Sequence, residues 1–141
     1  MTQDPIWASM TASDGARYVV SAVVSTGVTP QGAPVNPTLE FHTDQQVYLV
    51  CRVEGVNAGE RHRLSVRWLL DGKLVQVAAA HSSAVVTQNG VVAFAISYPA
   101  PGAGLAKVYW DEPVSDGNDI PDDNFLARTR SFTVLQDTNS L

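Results

Sequence analysis

The chain has 141 residues, a length typical of one domain with its own hydrophobic core. Apolar residues make up 45% of it and charged residues only 16%, a composition that excludes an intrinsically disordered chain. The net charge of −5, from 9 basic and 14 acidic residues, argues against nucleic acid and anionic membrane surfaces as partners, because both require a basic face.

The first predicted element is a polar leader, residues 1–15, which has neither the apolar region nor the cleavage site of a signal peptide. No stretch of the chain approaches the roughly 20 apolar residues that span a bilayer, so no membrane insertion is expected. Residues 16–24 are rich in β-branched side chains and predict the first strand. Residues 25–37 contain two glycines and three prolines and are predicted to be irregular, and residues 38–42 predict a short edge strand.

Two strands with alternating polarity follow, at residues 46–54 and 62–70. In the second, alternation predicts two faces, since successive side chains of a strand point to opposite sides of the sheet. The inward residues are Leu64, Val66, Trp68 and Leu70, and the outward ones are Arg63, Ser65, Arg67 and Leu69. Asp71-Gly72 then predicts a hairpin turn, because both central positions of a type I′ turn need a positive φ.

The remaining predicted strands are residues 73–79, 91–98, 104–110 and 126–135, and Asn89-Gly90 gives a second turn signal of the hairpin type. Seven or eight short strands without helical periodicity predict an all-β fold, a sandwich or a small barrel. Residues 16–135 would form this domain and residues 136–141 a C-terminal tail.

The central strands resemble those of an immunoglobulin-like or fibronectin type III-like domain. Cys51 lies on one strand and Trp68 on the next, and residues 65–72 resemble strand C, with its core tryptophan and the turn beyond. Residues 104–110 and 126–135 stand where strands F and G would lie. The second cysteine of the family, on strand F, is absent, with Val108 or Trp110 at the corresponding position.

This resemblance implies an antiparallel immunoglobulin-like β-sandwich, as in bacterial modules appended to secreted or surface proteins. It therefore implies a non-enzymatic binding or spacer module of a larger extracytoplasmic protein, located outside the cell or on its surface. The fold alone names no ligand, because it supports many unrelated functions.

The residues that could carry chemistry form no recognisable catalytic motif. Cys51 shares its strand face with three aliphatic residues, which predicts a buried, inert thiol. His42, His62 and His81 lack metal-ligand spacing, and no G-x-S-x-G motif is present. We therefore expect the chain not to be an enzyme and to require no catalytic cofactor.

The most distinctive feature is residues 111–124, DEPVSDGNDIPDDN, between the last two predicted strands. The segment has six acidic residues and no basic ones, and removing six negative charges from the net −5 leaves +1 for the rest of the chain. Closely spaced carboxylate and amide oxygens favour Ca²⁺. The candidate calcium ligands are Asp116, Asn118, Asp119, Asp122 and Asp123.

Two other interpretations of the segment remain open. Asp, Asn, Gly and Pro are ordinary turn residues, so the segment could be a solvated turn. It could also pair with Arg61, Arg63 or Arg67, in surface ion pairs that contribute about 0–1 kcal/mol each.

Trp110 ends a predicted strand immediately before Asp111 and Glu112, and it either caps the core or lies exposed at a loop mouth. Aromatic rings flanked by carboxylates can bind sugars. The alternative function is therefore a carbohydrate-binding module that uses Trp110, Tyr109 and the two carboxylates, and its ligand would be a glycan instead of a protein. An exposed, coplanar aromatic strip would favour this alternative, and buried aromatic residues would exclude it.

Overall fold

The computed structural model describes residues 15–113 and 123–136. In this part of the chain ten strands form two sheets around a shared core, so the predicted all-β sandwich is confirmed. A four-residue helix, α1 (Gly15–Tyr18), precedes the first strand. The strands in chain order are β1 (Val19–Val28), β2 (Pro34–Pro37), β3 (Glu40–His42), β4 (Gln46–Val53), β5 (His62–Leu70), β6 (Lys73–Leu74), β7 (His81–Val86), β8 (Gly90–Ser97), β9 (Gly102–Trp110) and β10 (Leu126–Leu135).

The two sheets differ in size and in strand direction. The first has four antiparallel strands in the order β2-β1-β4-β8. The second has the order β3-β10-β9-β5-β6, and β7 also pairs with β5. Because β3 runs parallel to β10, the expectation of a wholly antiparallel sandwich is wrong at this edge. The count rises from the expected seven or eight strands to ten because two short edge strands, β2 and β7, were not among the eight predicted runs.

The strands assigned by resemblance to positions C, F and G are neighbours in one sheet, since β9 pairs with β5 on one side and β10 on the other. The Asp71-Gly72 turn also matches its prediction, with φ values of 51° and 85°. Asn89-Gly90 does not make a hairpin: β7 pairs with β5 and β8 with β4, so this turn carries the chain from one sheet to the other.

The segment predicted to be irregular, residues 25–37, is instead mostly extended. β1 continues to Val28, and β2 pairs with it across a turn in which Gly32 has a φ of 87°. The prolines are tolerated because β2 is an edge strand, where a missing backbone N–H does not interrupt a central ladder. At the other end of β1, residues 16–18 are helical and not extended as predicted.

The core lies between the sheets and is centred on aromatic side chains. Trp68 is fully buried, as predicted, and meets Tyr98 and Phe132 edge to face with ring centroids 6.4 and 6.2 Å away. Gly104 leaves room for Phe132, because a Cβ at this glycine would overlap the phenyl ring. No helix in the described part of the chain is long and apolar enough to cross a membrane.

Cys51 is fully buried in β4, and burial raises the pKa of its thiol to about 12, an effect that nearby Arg130 partly offsets. The reactive thiolate is therefore scarce at neutral pH. We expect a maleimide or disulfide reagent to leave the native protein unlabelled and to label it fully in denaturant. Rapid labelling of the native protein would show that the strand opens or that the thiol is accessible.

Candidate functional site

Charged side chains meet where β5 begins and β9 ends, at the start of the acidic segment. The strands align Ser65 with Tyr109 and Arg67 with Lys107, and the chain then turns at Asp111. This turn brings the Glu112 carboxylate back onto the outer face of β5. The Arg67 guanidinium donates to both its oxygens, at 2.7 and 3.1 Å, and the Ser65 hydroxyl also donates to it.

The Arg67–Glu112 pair is buried: the arginine has no exposed surface and the glutamate only 4%. The Tyr109 ring, also buried, lies 5.7 Å from the centre of the guanidinium, within range of a cation–π interaction. Ser65 and Arg67 do point away from the core as predicted, but their predicted exposure is wrong, because Tyr109 and Glu112 cover this part of the sheet. Of the interpretations left open for the segment, pairing with arginine is observed for Glu112 and Arg67, but this pair is buried and not on the surface.

A second group of contacts fixes Asp111, whose φ of 57° turns the chain out of β9. Its backbone N–H donates to the Arg63 carbonyl, and its carboxylate accepts the Arg63 N–H, each at 2.8 Å. The other carboxylate oxygen lies 2.7 Å from His62 Nδ1, and His62 Nε2 lies 3.1 Å from Glu60. The Arg63 guanidinium donates to the Glu112 carbonyl, so both residues that open the segment are held by β5 and the residues before it.

Trp110 is buried and caps the core, one of the two positions predicted for it. Its indole stacks on Tyr18 of α1 and on His62, with ring centroids 4.8 and 4.7 Å away, and those two rings also contact each other at 5.1 Å. Only 5% of Trp110 and none of Tyr109 is exposed to solvent. These two rings therefore do not form the exposed platform that the carbohydrate-binding alternative requires.

Residues at the start of the segment line an open cleft of about 470 Å³. Its walls are Arg61, His62, Arg63, Val85, Asp111, Glu112 and Pro113. Sequence reasoning picked out Asp111 and Glu112 but missed the roles of Glu60, His62 and Ser65. The only signal for His62 was its position at the start of an alternating strand beside two arginines. Its partner Glu60 is two positions away, but its partner Asp111 is 49 positions away.

Four of the proposed calcium ligands, Asp116, Asn118, Asp119 and Asp122, lie outside the described residues. Asp123 begins the 3-10 turn Asp123–Phe125, which leads into β10. Among residues 15–113 and 123–136, no group of three or more His, Cys, Asp or Glu side chains is arranged to hold a metal ion. His42 lies exposed on β3 and His81 lies on β7 beside Arg67, so the histidines do not converge.

The His62 imidazole has a pKa above its usual value of 6.5. Burial alone would lower this pKa, but the hydrogen bonds and charges of Asp111 and Glu60 outweigh burial and favour the protonated ring. Because the folded-state pKa is the higher one, protonated His62 stabilises the fold below the unfolded-state pKa. This stabilisation is lost as the pH rises through the folded-state pKa of His62.

Replacing His62 with phenylalanine should therefore destabilise the protein more at pH 6 than at pH 9. Denaturant unfolding of both proteins at the two pH values gives the comparison. Taking the difference between wild type and variant removes the opposite contribution of His81, whose pKa is lowered mainly by burial and secondarily by Arg67. A difference that does not change with pH would contradict the assigned ion pairs.

Comparison with known proteins identifies no family for this chain. No protein-family model matches the chain, and no curated protein matches it. Among solved structures it is similar to the CARDB domain of a Pyrococcus furiosus protein, crystallised in complex with di-metal ions. The two are 10% identical, with a TM-score of 0.42, and the match covers 83% of this chain and 94% of that domain. A similarity this weak supports no inference about the ligands of this chain.

Proposed function

We propose that the chain is a non-catalytic, immunoglobulin-like accessory module of a larger extracytoplasmic protein, and that it binds its ligand through residues 111–124. The adjacency of β5, β9 and β10 and the buried Trp68 support the immunoglobulin-like type. The observation that carries the functional proposal is the buried Arg67–Glu112 pair at the start of the segment.

Stability alone is a poor explanation for this pair. Removing two charges from water is expensive, and well-packed apolar residues often replace a buried ion pair with no loss of stability. What the pair supplies is a fixed position for Glu112, with oxygens held by Arg67 and Ser65 and a carbonyl held by Arg63. Together with the Asp111 contacts, it sets the direction in which the segment leaves the sheet.

The contacts around the cleft favour binding over catalysis. His62 lies between Asp111 and Glu60, Glu112 is buried against Arg67, and each carboxylate is therefore engaged in holding the structure. A general base needs a free position within hydrogen-bond reach of its substrate. The burial of Trp110 and Tyr109 argues against the glycan-binding alternative, which needs exposed aromatic rings.

The ligand we propose is a calcium ion. The carboxylates of Asp111 and Glu112 already bind residues of β5. We therefore propose the later oxygen donors of the segment as the coordinating set. Hard cations prefer such carboxylate and amide oxygens. These donors are Asp116, Asn118, Asp119, Asp122 and Asp123. Carboxylates crowded in this way repel one another, and a bound cation relieves that repulsion.

Calcium should raise the melting temperature relative to chelator at equal ionic strength, with magnesium as a second comparison. Binding to the native state stabilises it by about 2.7 kcal/mol at one hundred times Kd. The variant Asp116→Asn/Asp119→Asn should lose the shift. The matched control Glu40→Gln/Glu54→Gln, which removes two exposed carboxylates elsewhere, should keep it.

Ionic strength must be matched because added salt also screens carboxylate repulsion. Equal melting temperatures in calcium and chelator would rule out the calcium site. A shift that persists in Asp116→Asn/Asp119→Asn would place calcium elsewhere and contradict the proposed coordinating set.

A further inference from the structure

Strand β8 has an open edge. It is the last strand of the four-stranded sheet and pairs only with β4, through residues Gly90–Ser97. In the part of the chain that the structure describes, none of these residues makes a backbone hydrogen bond to a partner outside that ladder. The 3-10 turn Ala78–Ala80 packs near β8 but makes no backbone hydrogen bond to it.

The sequence of β8, GVVAFAIS, contains no charged residue and no proline. Natural proteins blunt sheet edges with charge, proline or a very short strand, because an unpaired edge is a template for another strand. Three of the other edges show such devices: β2 has prolines at both ends, β3 has three residues and includes Glu40, and β6 has two residues and includes Lys73. The remaining edge strand, β7, has six residues and no proline, Lys, Arg, Asp or Glu, but it is shorter than β8 and begins with three polar side chains.

The side chains of β8 leave its edge accessible. Val91 and Ala93 lie on the outer face of the sheet, opposite Arg52 and Val50 of β4. Ala93 is exposed, and Val91 is 42% exposed, with the turn at Gly32 packed against its side chain. On the inner face, Phe94 and Ile96 belong to the core. Small, uncharged groups on the outer face would not obstruct a strand that approaches in the plane of the sheet.

We propose that β8 is an interaction edge at which a second copy of this chain pairs antiparallel, across a two-fold axis, to form one continuous eight-stranded sheet. A two-fold axis places the middle of the strand opposite itself, so a charged residue near the axis would bring a like charge close to its own copy. A strand with no charge is free of this penalty and is therefore self-compatible. Recognition of a different protein gains specificity from complementary charges, and β8 displays none.

The proposed dimer is weak because its interface is small. Pairing of one eight-residue strand covers less than the roughly 1,600 Å² of a standard protein interface. Monomer and dimer should therefore interchange with protein concentration. The dimer does not involve the acidic segment, so the test of dimerisation is independent of the calcium proposal.

Sedimentation velocity over a concentration series tests the proposal. The wild type should shift from the monomer mass to twice that mass as concentration rises. Ala93→Lys, at an exposed position of β8, should weaken dimerisation by roughly tenfold or more, because two ammonium groups are brought together. Val35→Lys, the same change in charge at a half-exposed position of the proline-flanked β2 edge, should dimerise like the wild type.

A wild type that stays monomeric at millimolar concentration would overturn the proposal, as would equal dimerisation of Ala93→Lys and wild type, or equal loss in Val35→Lys. Amide hydrogen exchange of the unmodified protein gives a second test that needs no variant. Protection of residues 91–97 should rise with protein concentration while that of β2 stays constant. Protection of β8 that does not depend on concentration would contradict pairing at this edge.

Discussion

Replacing Glu112 with glutamine should lower the free energy of unfolding by about 3–5 kcal/mol. The substitution keeps the shape of the side chain but removes the carboxylate charge beside the buried Arg67 guanidinium, and breaking a buried ion pair from one side is strongly destabilising. Urea unfolding at neutral pH measures the change. The effect should far exceed that of breaking the exposed Arg52–Glu54 pair with Glu54→Gln, because exposed pairs contribute about 0–1 kcal/mol.

The double variant Arg67→Met/Glu112→Leu should recover most or all of this loss, because it removes both charges and supplies apolar side chains of similar volume. Recovery would separate the role of the pair in positioning the segment from any role in stability. A loss below roughly 1 kcal/mol for Glu112→Gln would show that the carboxylate is hydrated and that the pair does not hold the segment.

Replacing Trp68 with alanine should lower the free energy of unfolding by about 3–5 kcal/mol, the range for emptying a large core site. The indole is fully buried and has Tyr98 and Phe132 at its edges, so its removal leaves a cavity between the two sheets. Val85→Ala is the matched control: its side chain is 54% exposed, and its effect should stay within roughly 0.5 kcal/mol. Similar effects of the two substitutions would contradict the assigned strand register.

The strands of the sandwich could be predicted where polarity alternates strictly. The bounds of β5 and β10 match their predictions, and Trp68 is in the core because a period of two fixes the face of every residue in a strand. Alternation says nothing, however, about what covers the outer face. Arg67 is buried by Glu112, which is 45 positions away in sequence and reaches it only through the turn at Asp111.

Sheet edges were predicted less well. Residues 73–79 were expected to form one strand, but only Lys73–Leu74 pairs with β5, and the chain then makes a 3-10 turn before β7 takes up the same edge. The parallel pairing of β3 with β10 joins residues about ninety positions apart, and no local pattern encodes it. Short edge strands take their pairing from the rest of the sheet, so their own residues carry little of the information.

In the candidate site, too, local features could be predicted and features that depend on distant contacts could not. The sequence located the acidic segment and the arginines that could pair with it, because charge composition is local. It left the position of Trp110 open, since exposure depends on whether Tyr18 and His62 stack on its ring. The locked conformation of Asp111 likewise needs the register of β5 against β9.

The central claim, that the buried pair fixes the start of residues 111–124, is tested most directly by amide hydrogen exchange at Asp111 and Arg63. These two amides close the turn, one onto the Arg63 carbonyl and the other onto the Asp111 carboxylate, each at 2.8 Å. In Arg67→Met/Glu112→Leu, we predict that their protection falls by roughly tenfold or more while that of core Leu49 is unchanged, because only the local anchor is lost. Equal protection of Asp111 in the wild type and this variant would contradict the claim.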